Sequence, residues 1–80
     1  VAGSVLAEPH NELERKRLGA ALIRQIEALP AVQRETFLLA QETDMTLEEI
    51  ASITGVNRET AKSRMRYALA KLRDGLRDWQ

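Results

Sequence analysis

The sequence predicts an all-α fold, a small bundle of about four helices that ends in a C-terminal helix-turn-helix. Composition is the first reason, since Ala, Leu, Glu, Arg and Lys dominate the 80 residues and only three residues are aromatic. The second is the pattern: apolar residues recur every three or four positions, and no stretch alternates as a half-buried strand does. The third is that residues able to cap a helix precede these apolar stripes. A chain of this length allows one domain with one modest core.

The first helix is predicted to begin near Asn11, because Asn11 and Glu14 have the spacing of a capping box. Its apolar stripe repeats at intervals of four, four and three residues and consists of Leu18, Leu22, Ile26 and Leu29. Residues 1–10 have no convincing helical period, so we expect them to form a flexible lead-in.

Pro30 separates the first helix from a second helix that reaches about Glu42. Proline fits the first turn of a helix because the amide it lacks would have no intrahelical partner there. In this second helix Phe37, Leu38 and Ala40 are the expected buried positions.

The third helix is short and has a second capping box, in which Thr46 and Glu49 can each bond the other's backbone amide. Its predicted apolar face consists of Leu47, Ile50, Ala51 and Ile53. We expect the helix to end near Thr54, because Gly55 can adopt the left-handed backbone conformation that stops a helix at little steric cost.

The last helix has Asn57 as a suitable N-cap and is expected to fray near Gly75. Its apolar face consists of Ala61, Met65, Ala68, Leu72 and Leu76. A short helix, a turn containing glycine and a longer basic helix describe a helix-turn-helix, here over about residues 46–74. The residues predicted to build its scaffold are Thr46, Glu49, Ile50, Ala51, Gly55, Val56, Ala61 and Met65.

The charges are distributed unevenly along the chain. The 12 basic and 12 acidic residues cancel, which taken alone argues against a nucleic-acid-binding protein. Residues 1–55 contain five basic and nine acidic residues, a net charge of −4, whereas residues 56–80 contain seven and three, a net charge of +4. Charge alone favours an ordinary solvated helix face, but combined with the helix-turn-helix pattern it points to a polyanion partner at the basic end.

The exposed face of the last helix supplies the candidate DNA contacts, because an α-helix fits the major groove and its N-terminal residues reach the base edges. The candidates for base contact are Arg58, Glu59, Lys62, Ser63 and Arg66. Arginine can bridge guanine with two hydrogen bonds, and glutamate can accept one from the cytosine amino group. The candidates for phosphate or flanking contacts, which position the domain, are Asn57, Thr60, Arg64, Tyr67, Lys71 and Arg73.

The sequence argues against several other classes of function. His10 is the sole histidine and has no nucleophile or carboxylate partner, so we do not expect an enzyme or a small-molecule substrate. Carboxylates such as Glu48 and Glu49 are accounted for by helix capping and the helix dipole. Without cysteine or a glycine-rich phosphate loop, no metal or other cofactor is expected. The longest apolar runs have four residues, against roughly 18 for a membrane span, and the start does not have the pattern of a signal peptide.

Several motifs resemble one family over about residues 20–75. They are residues 28–39 (ALPAVQRETFLL), 45–51 (MTLEEIA), 55–56 (GV) and 60–65 (TAKSRM). This compound motif is similar to region 4 of bacterial extracytoplasmic-function (ECF) sigma factors of RNA polymerase. A generic helix-turn-helix does not share its first half, so the resemblance is specific.

The resemblance implies a four-helix domain over residues 11–80, preceded by an interdomain linker over residues 1–10. Such a domain recognises the minus-35 promoter element in double-stranded DNA, docks on the flap of the polymerase β subunit, and is often bound by an anti-sigma factor in the bacterial cytoplasm. By position, the residues that match the DNA-facing helix of the family are Lys62, Ser63, Arg64 and Arg66. This sequence departs from the family at Asn57, Glu59 and Tyr67, where proline, glycine and arginine are frequent.

Two alternatives remain open at this point. A DNA-binding domain of a LuxR-type response regulator shares the Thr-x-x-Glu-Ile-Ala start, although the Leu29–Pro30 helix junction and residues 62–64 (KSR) favour the sigma factor. The other alternative is a helical module that binds only protein. Loss of DNA binding after substitution in the last helix would exclude this module, and a receiver domain encoded upstream in the full gene would favour the LuxR type.

Overall fold

Four α-helices and one short 3-10 helix follow one another in a computed structural model that describes residues 11–79. The helices are α1 (Glu12–Glu27), α2 (Ala31–Glu42), α3 (Leu47–Thr54) and α4 (Arg58–Gly75), followed by the 3-10 helix Arg77–Trp79. This stretch contains no strand, and the predicted all-α fold is confirmed. The lead-in expected over residues 1–10 lies outside the described residues.

Both ends of α1 are held by polar contacts. At the start, the Glu14 amide donates to Oδ1 of Asn11 at 2.8 Å, as the predicted cap requires. At the end, Nη1 of Arg34 donates to the carbonyl oxygens of Glu27 at 2.9 Å and Leu29 at 3.2 Å. A guanidinium is a suitable partner for these groups because the last carbonyls of a helix lack intrahelical donors and carry partial negative charge. Arg34 therefore joins α2 to the end of α1.

Pro30 is the N-cap of α2 and not a residue of its first turn, since the helix begins at Ala31. The proline has an extended ψ of 146°, and the amide of Arg34 donates to its carbonyl at 2.9 Å to close the first turn. The difference from the expected position is one residue, and Pro30 still separates the first two helices as predicted.

Helix α4 forms the centre of the domain, and α1, α2 and α3 all pack against it. The main cluster of buried side chains consists of Leu29, Phe37, Ala68 and Leu72, with Ile26, Leu38 and Met65 packed against it. Thr36 is also completely buried, and its hydroxyl is satisfied by donating to the Val32 carbonyl at 3.0 Å. The predicted apolar face of α4 is confirmed, because Ala61, Ala68, Leu72 and Leu76 are buried and Met65 is half-buried.

Two apolar residues that were predicted to be buried are exposed. Ile53 is 61% exposed, because it lies about 160° around α3 from the buried Ala51. Leu22 is 36% exposed, while its neighbour Ala21 is buried instead. In α2, Phe37 is buried as predicted, whereas Leu38 and Ala40 are only half-buried.

Gly75, the last residue of α4, lies beside the side chain of Gln25 on α1. A Cβ atom at this position would meet the far end of the Gln25 side chain, which is flexible and can move aside. The chain does not lose regular structure there: the amide of buried Leu76 donates to the Leu72 carbonyl at 3.0 Å, and the 3-10 helix follows. Within residues 11–79, no helix has the length and apolar character needed to cross a membrane.

Candidate nucleic-acid interface

A tight turn over residues 55–57 joins α3 to α4. Gly55 has φ 76° and ψ 28°, the left-handed conformation predicted from the sequence. The Gly55 amide donates to the Ser52 carbonyl at 3.3 Å, and the Val56 amide donates to the Ala51 carbonyl at 2.9 Å. These two bonds satisfy carbonyls at the end of α3 and turn the chain sharply into α4.

Replacing Gly55 with alanine is expected to lower the free energy of unfolding by about 1–2 kcal/mol, the cost of a side chain in a left-handed backbone conformation. No atom lies within 4 Å of the added Cβ, so crowding does not contribute. Gly19→Ala is the matched control, because this glycine lies inside α1 and also has open space around it. The control should raise stability by about 0.5–1 kcal/mol. Denaturant unfolding measures both, and equal effects would contradict the expectation.

Side-chain caps fix the starts of both helices of the motif. The Glu49 amide donates to Oγ1 of Thr46 at 3.1 Å, and the Thr46 amide donates to Oε1 of Glu49 at 2.8 Å. This is the complete capping box that the sequence predicted. At α4, the Thr60 amide donates to Oδ1 of Asn57 at 2.8 Å. Asn57, predicted to flank the DNA, therefore uses its side-chain oxygen as a helix cap.

Small side chains allow α3 and α4 to pack closely. Ala51 and Ala61 are buried, with Ile50 buried beside them, while Val56 and Met65 are half-buried. Larger residues at the two alanines would separate the helices or force side chains off their rotamers. Ile50, Ala51 and Ala61 are thus buried on two helices that pack against each other, whereas Met65 packs against the main cluster of buried side chains.

The predicted base-contacting residues lie on the first half of α4. Arg58, Glu59, Lys62 and Arg66 are exposed, whereas Ser63 is half-buried. At about 100° per residue, Ser63 lies about 180° from the buried Leu72 and so marks the centre of the outward face. The outward face is therefore polar, with one short side chain at its centre.

Basic residues form two rows on either side of Ser63. One row contains Lys62, Arg66 and Arg73, which lie within about 40° of one another around the helix. The other row contains Arg64 and Lys71, about 160–180° from Lys62. Arg64 is half-buried and the other four are exposed. We call these the two basic rows.

Thr60 and Tyr67 are the remaining predicted flanking residues. Thr60 is half-buried in the first turn of α4, where its amide is capped by Asn57. Tyr67 is half exposed, and the guanidinium carbon of Arg66 lies 5.2 Å from the centre of its ring. This distance allows a cation–π interaction, so Tyr67 supports Arg66 on the exposed surface.

Arg58 is paired with two carboxylates in the structure. Its Nε lies 2.8 Å from Oε2 of Glu48 on α3, and its Nη1 lies 3.7 Å from Oε2 of Glu59. A hydrogen bond from its own backbone amide, followed by the bond from Arg58, lowers the pKa of the Glu48 carboxyl. Glu48 thus remains ionised at neutral pH. The sequence explains Glu48 only by helix capping and the helix dipole, and does not indicate its contact with Arg58.

The described part of the chain has an open cleft but no metal site. The cleft, of about 350 Å³, is lined by Gln25, Ala28, Leu29, Lys71 and Asp74. No group of three or more potential metal ligands occurs within residues 11–79. The candidate functional site of the described residues is therefore the basic, polar face of α4. Such a face on the second helix of a helix-turn-helix is typical of a DNA-binding domain.

Comparison with known families agrees with this class. Residues 19–72 match the family Sigma-70, region 4, so the chain belongs to that family. No curated protein and no solved structure matched the chain significantly. The chain is therefore a DNA-binding domain of the sigma-factor type, a family that acts on promoter DNA together with RNA polymerase. The LuxR-type alternative is set aside, because the match includes the helices that precede the helix-turn-helix.

Proposed function

We propose that this chain is the C-terminal promoter-recognition domain of a bacterial ECF sigma factor. Helix α4 enters the major groove of the minus-35 element, and the domain acts with RNA polymerase in the cytoplasm to start transcription. The observation that carries the proposal is the exposed, basic first half of α4, which the Gly55 turn presents within a chain of the sigma region 4 family.

Base recognition is assigned to the exposed N-terminal half of α4. Lys62 and Arg66 have the donors that guanine O6 and N7 accept, and Glu59 has an acceptor for a cytosine amino group. Ser63 is short enough to let the helix approach the bases closely and can bond to either edge. Arg58, the first residue of α4, completes this set.

Phosphate contacts are assigned to Arg64, Lys71 and Arg73 of the two basic rows. Lys71 lies 13 residues beyond Arg58, about 20 Å along the helix at 1.5 Å per residue. Basic side chains therefore extend along most of α4, with Arg64 and Arg73 also among them. If four or five phosphates are neutralised, the logarithm of the binding constant should fall with the logarithm of salt concentration with a slope of about −4.

Two protein partners belong to the proposal, namely the flap of the polymerase β subunit and an anti-sigma factor. Apolar residues exposed away from the core support protein contacts of this kind: Leu13 and Ile23 on α1, and Val32 on α2. These two helices together contain five acidic and five basic residues, a net charge of zero, whereas α4 contains six basic and two acidic residues, a net charge of +4, so the partner-binding side and the DNA-binding side differ in charge.

Lys62→Ala and Arg64→Ala are each expected to weaken promoter binding by about 1–3 kcal/mol without changing the fold. Neither side chain belongs to the buried cluster, so its removal leaves no cavity in the core. The measurement is the binding of holoenzyme to a promoter fragment at several salt concentrations. Holoenzyme is used because an isolated domain lacks the affinity that the linked parts of the sigma factor and the polymerase supply.

Lys16→Ala is the control, since it removes one exposed positive charge from α1. This variant should bind the promoter with unchanged affinity. Wild-type affinity at low salt in both α4 variants would contradict the assignment of α4. It would favour the alternative of a domain that binds only protein.

A further inference from the structure

The contact between Glu48 and Arg58 joins the beginnings of the two helices of the motif. Glu48 is in the first turn of α3, and Arg58 is the first residue of α4, ten positions later. Nε of Arg58 donates to Oε2 of Glu48 at 2.8 Å, a charge-assisted hydrogen bond of good length. The pair therefore spans the turn on the side where α4 starts.

Holding the fold together is not the main effect of this pair. The side chains are 47% and 66% exposed, and exposed ion pairs add little to stability because water and salt screen them. The two helices are already held by Ile50, Ala51 and Ala61, which are buried at their junction. The pair instead fixes the direction of the long Arg58 side chain. Without the pair, this side chain would lose considerable rotamer freedom when it binds DNA.

The atoms used by Glu48 leave a particular part of Arg58 available. Glu48 binds Nε, while Nη1 lies 3.7 Å from Glu59, beyond hydrogen-bond distance. The Nη1–Nη2 edge of the guanidinium therefore keeps its donors for another partner. Two parallel donors on one edge match the O6 and N7 acceptors that guanine presents in the major groove.

We propose that Glu48 is a positioning residue that orients Arg58 for bidentate recognition of one guanine in the DNA site. This inference rests on the proposed function, because it requires the start of α4 to face the major groove. Glu48 itself does not contact the base. Glu48 contributes to sequence preference because it holds Arg58 in one orientation before the DNA binds.

A competing effect of Glu48 has a different signature. A carboxylate near DNA also repels phosphates, so its removal could strengthen binding to every sequence equally. A positioning residue affects mainly the preference for guanine at one position. The two effects are therefore separated by sequence preference and not by affinity.

The test compares binding-site selection by four variants with selection by the wild type. Holoenzyme containing the complete sigma factor selects sites from a pool of randomised duplex DNA, and the selected sites are sequenced. The variants are Glu48→Ala, Arg58→Ala, the double variant, and Glu49→Gln. The last is the matched control: it removes the neighbouring negative charge, and glutamine can maintain the capping box with Thr46. Thermal unfolding of each variant checks the fold.

The expected result is that Arg58→Ala and Glu48→Ala each reduce the preference for guanine at the same position by about fivefold or more. The double variant should be no worse than Arg58→Ala, because both substitutions remove one interaction. Glu49→Gln should keep the preference of the wild type. A fifth variant, Glu48→Gln, should retain part of the preference, because its amide oxygen can still accept the bond from Nε of Arg58.

Two results would overturn the inference while leaving the proposed function intact. In the first, the wild type prefers guanine and Glu48→Ala retains that preference, or Glu49→Gln loses as much of it as Glu48→Ala does. The other is a selected motif that Arg58→Ala does not change at any position. If the wild-type holoenzyme selects no motif that depends on α4, the proposed function itself fails and this inference fails with it.

Discussion

A variant in which Phe37 is replaced by alanine is expected to lose about 3–5 kcal/mol of stability and to be largely unfolded at physiological temperature. Phe37 is the only phenylalanine of the chain and packs with Leu29, Ala68 and Leu72 in the main buried cluster. A small domain has a total stability of about 5–15 kcal/mol, so this loss is a large part of it. Thermal unfolding should show a fall in Tm of at least about 12 °C, or no cooperative transition.

Val32→Ala is the control on the same helix. Val32 is 44% exposed, against 8% for Phe37, so the control should change stability by less than about 1 kcal/mol. A Phe37→Ala protein that unfolds within a few degrees of the wild type would mean that α2 does not pack against α4 as described. Promoter binding should also be lost in Phe37→Ala, because α4 has no stable position without this core.

Ile50→Ala is expected to lower the free energy of unfolding by about 2–5 kcal/mol. Its effect should be larger on the helix-turn-helix than on the rest of the domain. Ile50 is 1% exposed and lies next to Ala51 at the junction of α3 with α4. Alanine leaves a cavity where the chain has little freedom to collapse, since the Gly55 turn and the Thr46 cap fix both ends of the short helix. Hydrogen exchange at the amides of α3 should become faster as well.

The matched control is Ile53→Ala, the same substitution three residues later. Ile53 is 61% exposed, so its truncation should leave stability nearly unchanged. The two variants differ only in position on an eight-residue helix, and the ratio of their effects measures which face of α3 is buried. Comparable losses at the two positions would contradict the orientation of α3.

The helix boundaries could be predicted from the sequence because local contacts determine them. The caps at Asn11, Thr46 and Asn57 each involve a residue only three positions away, and all three are present in the structure. The left-handed turn at Gly55 is also local. The apolar face of α4 could be predicted because this helix is packed along its length by the three others, so its period of apolar residues is complete.

Contacts between helices were harder to predict. Ile53 and Leu22 are apolar at helical spacing, yet only the arrangement of neighbouring helices decides which of them is covered. Arg34 belongs to a recognised motif, but its bonds to the carbonyls at the end of α1 cross a helix junction. Glu48 was assigned a local role for the same reason. Its partner Arg58 is ten residues away, and no periodic pattern indicates such a pair.

The two basic rows have a consequence for how this domain could change its promoter. Lys62, Arg66 and Arg73 lie on one side of Ser63, and Arg64 and Lys71 lie on the other. Arg73 on one side, and Arg64 and Lys71 on the other, can contact the two sugar-phosphate strands that border one groove, and these contacts do not depend on base sequence. The side chains that position the helix in the groove are then largely different from those that recognise the bases. Substitutions at Glu59 or Ser63 are therefore expected to change the preferred promoter sequence while the phosphate contacts are retained.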